Sequence, residues 1–324
     1  MPSQAILVIG IDLGGTNMQF GVVDAQNGIV GRTKKKTMAQ KGSDEVIARL
    51  VDGVHDACTD AEVELAEIAA VGIAAAGAID TPNGMVLSSP NIGWVDFPLR
   101  DALHEKLGRP VVLENDVNGA VWGEYCLGAG RGCSDVFGIW VGTGVGGGLV
   151  VNGKLHRGHF FTAGEIGHVV ADLSLPRGAA KVEEIASRTG MSRAVIARRH
   201  AYPDSIMHDL ISPERGIYRS RILSKALEAD DQLMTEVVAE AARTLGVAIA
   251  NVVTLLSLER VILGGGVSES LGKPFLESIR KAFEEHVFPD DLRACELVPT
   301  ALEDEAGLLG AALLAREAVL VKAQ

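Results

Sequence analysis

Three clusters of glycine, each placed at the end of an apolar run, constrain this chain more than any other feature. Ala5–Ile11 leads into Asp12-Leu-Gly-Gly-Thr16, Val136–Val141 into Gly142-Thr-Gly-Val-Gly-Gly-Gly148, and Val261–Leu263 into Gly264-Gly-Gly266. A strand that ends in glycines can reverse sharply, and its backbone can approach another group with no Cβ in between. The sequence has 38 glycines in 324 residues, roughly 15 above the usual share of about 7%. No Gly-X-Y period accompanies them. Eleven prolines and a hydrophobic fraction of 47% rule out a disordered Gly/Pro tract.

Between the clusters the pattern is that of a mixed α/β chain. Gln19–Val23 and Ile29–Thr37 read as strands after the first cluster, with Lys34, Lys35 and Lys36 as a solvated charge run. Ser43 is positioned to cap a helix to about Cys58, with Val46, Leu50 and Val54 on one face. Ile68–Ala75 is a buried-type strand, followed by a hairpin around Thr81-Pro-Asn-Gly84. Helix is expected over Phe97–Leu107 and Val117–Cys126, with a strand at Pro110–Leu113 between them. A second block pairs Val136–Val141 with Gly148–Val151, then runs through helices to a long one at Asp231–Leu258. A strand at Val261–Leu263 and a last helix at Ala306–Ala318 complete it. Strand–glycine–strand, helix, strand thus occurs twice without detectable sequence repeat. Met191–Arg221, rich in arginine, reads as a surface helical insertion with a solvated face.

Whole-chain totals exclude several classes. A formal net charge of -12 opposes a phosphate polyanion, so nucleic acid is not expected as a partner. Cys58, Cys126, Cys133 and Cys295 form no C-x-x-C pair, which suggests neither a disulfide framework nor a zinc ribbon. The N-terminal apolar run lacks a basic segment ahead of it and is interrupted by Asp12. No run approaches the ~20 apolar residues of a membrane span. A cytoplasmic protein with no membrane partner is expected.

The glycine clusters carry neither a Walker A pattern nor a G-x-G-x-x-G between strand and helix. Each alone can be a tight hairpin; three at strand ends point to backbone N–H groups offered to phosphate. Taken with Ser89-Pro-Asn-Ile-Gly-Trp94, Leu113-Glu-Asn-Asp-Val-Asn118 and Ala163-Gly-Glu-Ile-Gly-His168, they resemble, in order and over nearly the whole chain, the segments of the ROK family of sugar kinases and repressors. Within that family the glucokinases are the nearest likeness. The resemblance implies a two-domain ribonuclease H-like, actin-like ATPase fold with an interdomain active-site cleft. It implies a small domain of residues 1–117 plus 304–324 and a large domain of 118–303, with a helical insertion near 190–222.

The resemblance also implies roles. Asp116 corresponds to the general base that takes the proton of the sugar hydroxyl, although a helix N-cap is an equally physical use of an aspartate there. Asn91, Asn115, Asp116, Glu165, His168 and Glu183 match sugar-binding positions. Asn91 can instead be a turn residue, Glu165 a surface acid and His168 a core or surface histidine, and Glu184 is a one-residue alternative to Glu183. Asp12, Gly14, Gly15 and Thr16, with Gly142, Thr143, Gly144 and Gly264, Gly265, Gly266, match the nucleotide segments. Asp12 is expected to hold Mg²⁺, directly or through water, beside ATP. Many ROK kinases follow the histidine with three cysteines that complete a zinc site. Val169–Val182 has no cysteine, and Lys181 aligns with the last of the three, so no zinc is expected.

The implied reaction is ATP-dependent phosphorylation of glucose at its 6-hydroxyl. Kinases for mannose, fructose or an N-acetylhexosamine, and polyphosphate-dependent glucokinases, remain as alternatives within the class. A sugar-responsive repressor is disfavoured, because only Met1–Gln4 precede the first strand and leave no helix-turn-helix. A homodimer is expected from the family.

Overall fold

The computed structural model describes residues 6–174, 178, 180–212, 214–217 and 219–322. Met1–Ala5, which include the first residue of the expected opening strand, and part of the short segment 171–180 lie outside the described residues. The chain divides into two compact units. One comprises Met1–Arg131, Arg157–Ala163 and Asp304–Gln324, and the other Gly132–His156 and Gly164–Glu303.

In the first unit β1 (Leu7–Leu13), β2 (Asn17–Val23) and β3 (Ile29–Lys36) form an antiparallel meander. Helix α1 (Ser43–Asp60) leads to β4 (Ile68–Ala75), which pairs parallel with β1. A small sheet of β5 (Ala78–Asp80), β6 (Met85–Ser89) and β7 (Trp94–Phe97) intervenes. It is followed by α2 (Leu99–Leu107), β8 (Val111–Asn115) and α3 (Asp116–Leu127). The five-stranded sheet has the order β3-β2-β1-β4-β8. Its middle strands are buried on both faces, which fits the apolar run of β4 and that of β1 up to Asp12. At the edge, β3 alternates in exposure, and its charged residues keep that edge wet.

The C-terminal helix Ala306–Lys322 packs on β1, β4 and α3. Gly10 and Gly72 are register partners on β1 and β4. A Cβ on Gly10 would stand 2.0 Å from the Leu308 carbonyl oxygen, and one on Gly72 would stand 1.9 Å from that of Ala311. Where the helix crosses α3, a Cβ on Gly310 would be 1.7 Å from the Gly119 carbonyl oxygen. No side chain fits into these crossings, so only glycine allows them.

The second unit repeats the plan. β9 (Val136–Val141), β10 (Val145–Val151) and β11 (Lys154–His156) are antiparallel. The helices α4 (Val182–Ala186), α5 (Arg188–Arg198), α6 (Met207–Leu210), α7 (Arg221–Glu228) and α8 (Gln232–Leu256) precede β12 (Arg260–Gly264). Helix α9 (Gly266–His286), interrupted at Gly272 just before Pro274, leads to β13 (Glu296–Pro299). The sheet order β11-β10-β9-β12-β13 has the same strand directions as the first sheet, antiparallel through the first three strands and parallel through the last two. This is the mixed α/β, actin-like ATPase architecture. Among the described residues α8 is one helix long and apolar enough to cross a membrane. Twelve of its residues, from Leu233 to Val253, are buried inside the unit.

Several expectations need correction. Strand β10 starts at Val145, so Gly146, Gly147 and Gly148 are strand residues and the turn is only Gly142–Gly144. Gly147 is required because a Cβ there would lie 2.4 Å from the Gly164 carbonyl oxygen. The arginine-rich stretch is no surface appendage. Met191, Val195 and Met207 are fully buried in the core of the second unit, while Arg193 and Arg198 face outward to Glu184 and Glu240. Nor does Ser43 cap α1. Gly42 holds that place with φ 94°, and the Ser43 hydroxyl accepts a hydrogen bond from Trp94 Nε1 at 3.0 Å.

Gly310→Ala is expected to destabilise the protein by about 1–3 kcal/mol, since backbone must move to admit the methyl group. A shift of the urea midpoint with unchanged slope measures it.

Candidate active site

Two turns and one helix start carry the predicted residues of the first unit. At the end of β1, Gly14 donates its N–H to the Asn17 carbonyl at 3.1 Å, closing the turn Asp12–Thr16. The buried Thr37 braces it. Its N–H donates to the Thr16 carbonyl at 2.9 Å and its hydroxyl to the Gly14 carbonyl at 2.6 Å. Sequence reasoning missed Thr37, whose signal was a polar residue ending a strand. Asn91 sits against the same turn, since a Cβ on Gly15 would be 2.7 Å from the Asn91 Cβ.

At the end of β8, Asn115 is the N-cap of α3, and its Oδ1 accepts from the Asn118 N–H at 3.0 Å. The cap is therefore Asn115, and Asp116 is the first helical residue. The Asn115 amide donates to the Gly77 carbonyl at 3.0 Å and to Asp116 Oδ1 at 2.9 Å, while the Val117 N–H donates to that same oxygen at 3.0 Å. Asp116 is thus aimed by its neighbour and lies in the first helical turn, where backbone N–H groups favour a negative charge. Behind them Glu114 is buried. It accepts from the Asn115 N–H at 3.0 Å, from Asn118 Nδ2 at 3.1 Å and from Arg157 Nε at 2.6 Å. The pairing of Glu114 with Arg157 was not legible in the sequence, because only the fold joins them.

The second unit carries the other predicted residues. In the turn Gly142–Gly144 the Gly142 N–H donates to the Gly144 carbonyl at 2.9 Å. Glu183 Oε2 accepts from the Val145 N–H at 2.9 Å, and a Cβ on Gly144 would lie 2.3 Å from that oxygen. Glu184 pairs instead with Arg193. Thr143 receives the Arg188 guanidinium on its hydroxyl and the Thr189 hydroxyl on its carbonyl at 2.7 Å. Arg188 and Thr189 are further braces that the sequence did not flag. Glu165 precedes the single helical turn Ile166–His168 and His168 ends it, with His168 Nε2 and Glu165 Oε2 3.9 Å apart. Lys181 Nζ lies 3.2 Å from His168 Nδ1. In the third cluster Gly264 ends β12 against the Trp140 ring, 2.7 Å from where its Cβ would stand. Gly265 has φ 87° beside the Val141 backbone, and Gly266 begins α9.

The family model that matches this chain is that of the ROK family, over residues 8–318. The chain belongs to the ROK family. This ROK protein is 35% identical over 318 residues to a glucokinase of Streptomyces coelicolor, covering 96% of the chain and 98% of that relative. To a glucokinase of Halalkalibacterium halodurans it is 32% identical over 317 residues, covering 95% and 94%. It is also similar to a ROK family glucokinase from Streptomyces griseus solved in complex with glucose and AMPPNP. That similarity has a TM-score of 0.81, 35% identity, and coverage of 96% of this chain and 99% of that one.

Electrostatics single out Asp12 in this ROK protein. Burial first, then the carboxylates of Asp116 and Asp304, push its carboxyl up from 3.8 to about 7, against the pull of Lys34. A carboxyl raised in the folded state binds its proton more tightly than in the unfolded chain. Folding stability contributed by this group is therefore greatest below about pH 4 and declines as the pH rises to about 7. Asp12→Asn is expected to remove that decline. At pH 8 the variant should gain up to about 4 kcal/mol over the parent protein, and at pH 4 almost nothing. Unfolding midpoints at the two pH values test this. Equal gains at both would refute it.

Proposed function

We propose that this ROK protein is a glucokinase, which transfers the γ-phosphoryl group of ATP to the 6-hydroxyl of glucose and releases glucose 6-phosphate and ADP. The observation that carries the reading is the setting of Asp116, oriented through Oδ1 by Asn115 and the Val117 N–H at the start of α3. Phosphoryl transfer demands mainly positioning and charge neutralisation, and an oriented carboxylate meets the need for a base. Asp116 accepts the hydroxyl proton as the hydroxyl oxygen bonds to the γ-phosphorus and the bond from that phosphorus to the β-phosphate oxygen breaks. The likeness to a relative solved with glucose and AMPPNP supports both substrates.

Asn91, Glu165, His168 and Glu183 are proposed to bind sugar hydroxyls. Amides, carboxylates and imidazole suit a substrate whose every hydroxyl both donates and accepts. Asn115 acts chiefly on Asp116, because both its amide bonds are already made within the protein. The N–H groups of Gly14 and Gly142 are engaged inside their turns, so the phosphates fall to the amides that follow, at Gly15, Thr16, Thr143 and Gly144. Gly264, Gly265 and Gly266 are proposed to pass against the adenosine. Asp12 is proposed to hold Mg²⁺, directly or through water. The fit lies in Asp12's charge surroundings: Asp116 and Asp304 both disfavour its negative charge, and Mg²⁺ characteristically takes one or two carboxylates and completes its shell with water and phosphate. The ion would supply neutralisation of phosphate charge.

The net charge of -12 and the four free thiols suit a cytoplasmic enzyme without a nucleic-acid partner, and a homodimer is proposed from the family alone. Asp116→Asn is expected to lower kcat roughly 10²–10⁴-fold while glucose binding persists. A coupled assay crossing a hexose panel with ATP and polyphosphate tests the substrates. Near-normal turnover by Asp116→Asn, activity confined to fructose, or activity with polyphosphate alone would each overturn the corresponding part.

A further inference from the structure

The turn that carries His168 is fixed from two sides. On one side Gly167 packs on β10, where a Cβ would stand 2.0 Å from the Val145 carbonyl oxygen. On the other, the Val182 N–H donates to the Val169 carbonyl at 3.0 Å, and Lys181 stands opposite Val170 in an antiparallel bridge. Lys181 is also the N-cap residue of α4, yet its side chain makes no capping bond. It reaches His168 instead, with Nζ 3.2 Å from Nδ1.

The direction of that hydrogen bond follows from the groups. An ammonium has three donors and no acceptor, so Nδ1 must accept, and in the neutral ring the proton must reside on Nε2. Nε2 is the nitrogen that faces Glu165 Oε2 at 3.9 Å. That distance is too long for a direct hydrogen bond. One hydroxyl oxygen can bridge it by accepting from Nε2–H and donating to the carboxylate. Both side chains are about half exposed, so an incoming hydroxyl can reach them.

We propose that Lys181 is a positioning residue that holds His168 in the Nε2–H form, so that the ring presents a donor and Glu165 an acceptor to one sugar hydroxyl. A metal ion on Nδ1 would have the same consequence for the ring, since either partner occupies the Nδ1 lone pair. In this chain an ammonium supplies it. The importance of the bond therefore lies in ring orientation and tautomer rather than in stability, because an exposed pair of this kind contributes little to folding.

The inference rests on His168 being a sugar ligand, and the test separates the two. Two-bond ¹H–¹⁵N spectra of the free protein at alkaline pH, with His168 assigned by its absence in His168→Gln, report which nitrogen carries the proton. The parent protein should show an accepting Nδ1 and a protonated Nε2. Lys181→Met, which keeps the length but removes the donor, should show a mixture of tautomers, and Lys181→Arg should restore the parent pattern. In the same Met variant the KM for glucose should rise about 3- to 10-fold, the scale of one hydrogen bond, with kcat at saturation changed by less than about twofold. An unchanged ring pattern in Lys181→Met would overturn the proposal. A changed ring with an unchanged KM would leave the brace standing and instead remove His168 from the sugar site.

Discussion

Backbone lies directly on backbone where the C-terminal helix crosses β1, β4 and α3, and the candidate base and the Asp12 turn both depend on that crossing. At Gly10, Gly72 and Gly310 a carbonyl oxygen stands where a methyl group would otherwise be. Asp12 is the penultimate residue of β1, Asn115 ends β8 and Asp116 begins α3. The close approach of helix to sheet thereby helps to place Asp116 and Asp304, whose carboxylates raise the Asp12 pKa. It also brings the start of the C-terminal helix to Asp12, since a Cβ on Gly307 would stand 3.3 Å from the Asp12 carboxyl carbon. Burial at this junction makes an ionised Asp12 costly, and a cation would relieve that cost.

The second unit solves the same problem with side chains. Glu183, Arg188 and Thr189 converge on a turn of three residues, using a carboxylate, a guanidinium and a hydroxyl to hold backbone that has few contacts of its own. In the first unit one buried residue, Thr37, does this for its counterpart turn. Two sheets of identical order thus carry similar turns with unlike supports. That explains why the duplication is clear in strand order but absent from the sequence.

What was legible in the sequence was local. Ile68–Ala75 and Val136–Val141 are strands over the very residues their apolar runs marked, and the long helix departs from its expected span by one residue at its start and two at its end. The lysine run of β3, the hairpin after β5 and the motif positions along the chain were equally plain. Tertiary information was not. Nothing in Asn115-Asp116 says which of the two caps α3, since both side chains cap well. Met191, Val195 and Met207 were hidden among arginines, whose long side chains turn outward while the apolar face packs inward. Surplus glycine looked like a sign of ligand contact, yet Gly10, Gly72, Gly147 and Gly310 answer to packing between elements. The partnership of Lys181 with His168 required a backbone bridge across thirteen residues.

The dependence of the first unit on residues 306–322 also bears on how the protein is made. Its sheet emerges from the ribosome early, but the helix that covers Gly10 and Gly72 lies far along the chain from α3. At roughly 5–20 residues per second, the stretch between α3 and that helix takes on the order of 10–40 s to synthesise. Through that interval β1 and β4 present an apolar face with no cover. The sheet of the first unit therefore cannot be completed in the usual vectorial order, because the cover it needs comes from residues 306–322, far along the chain.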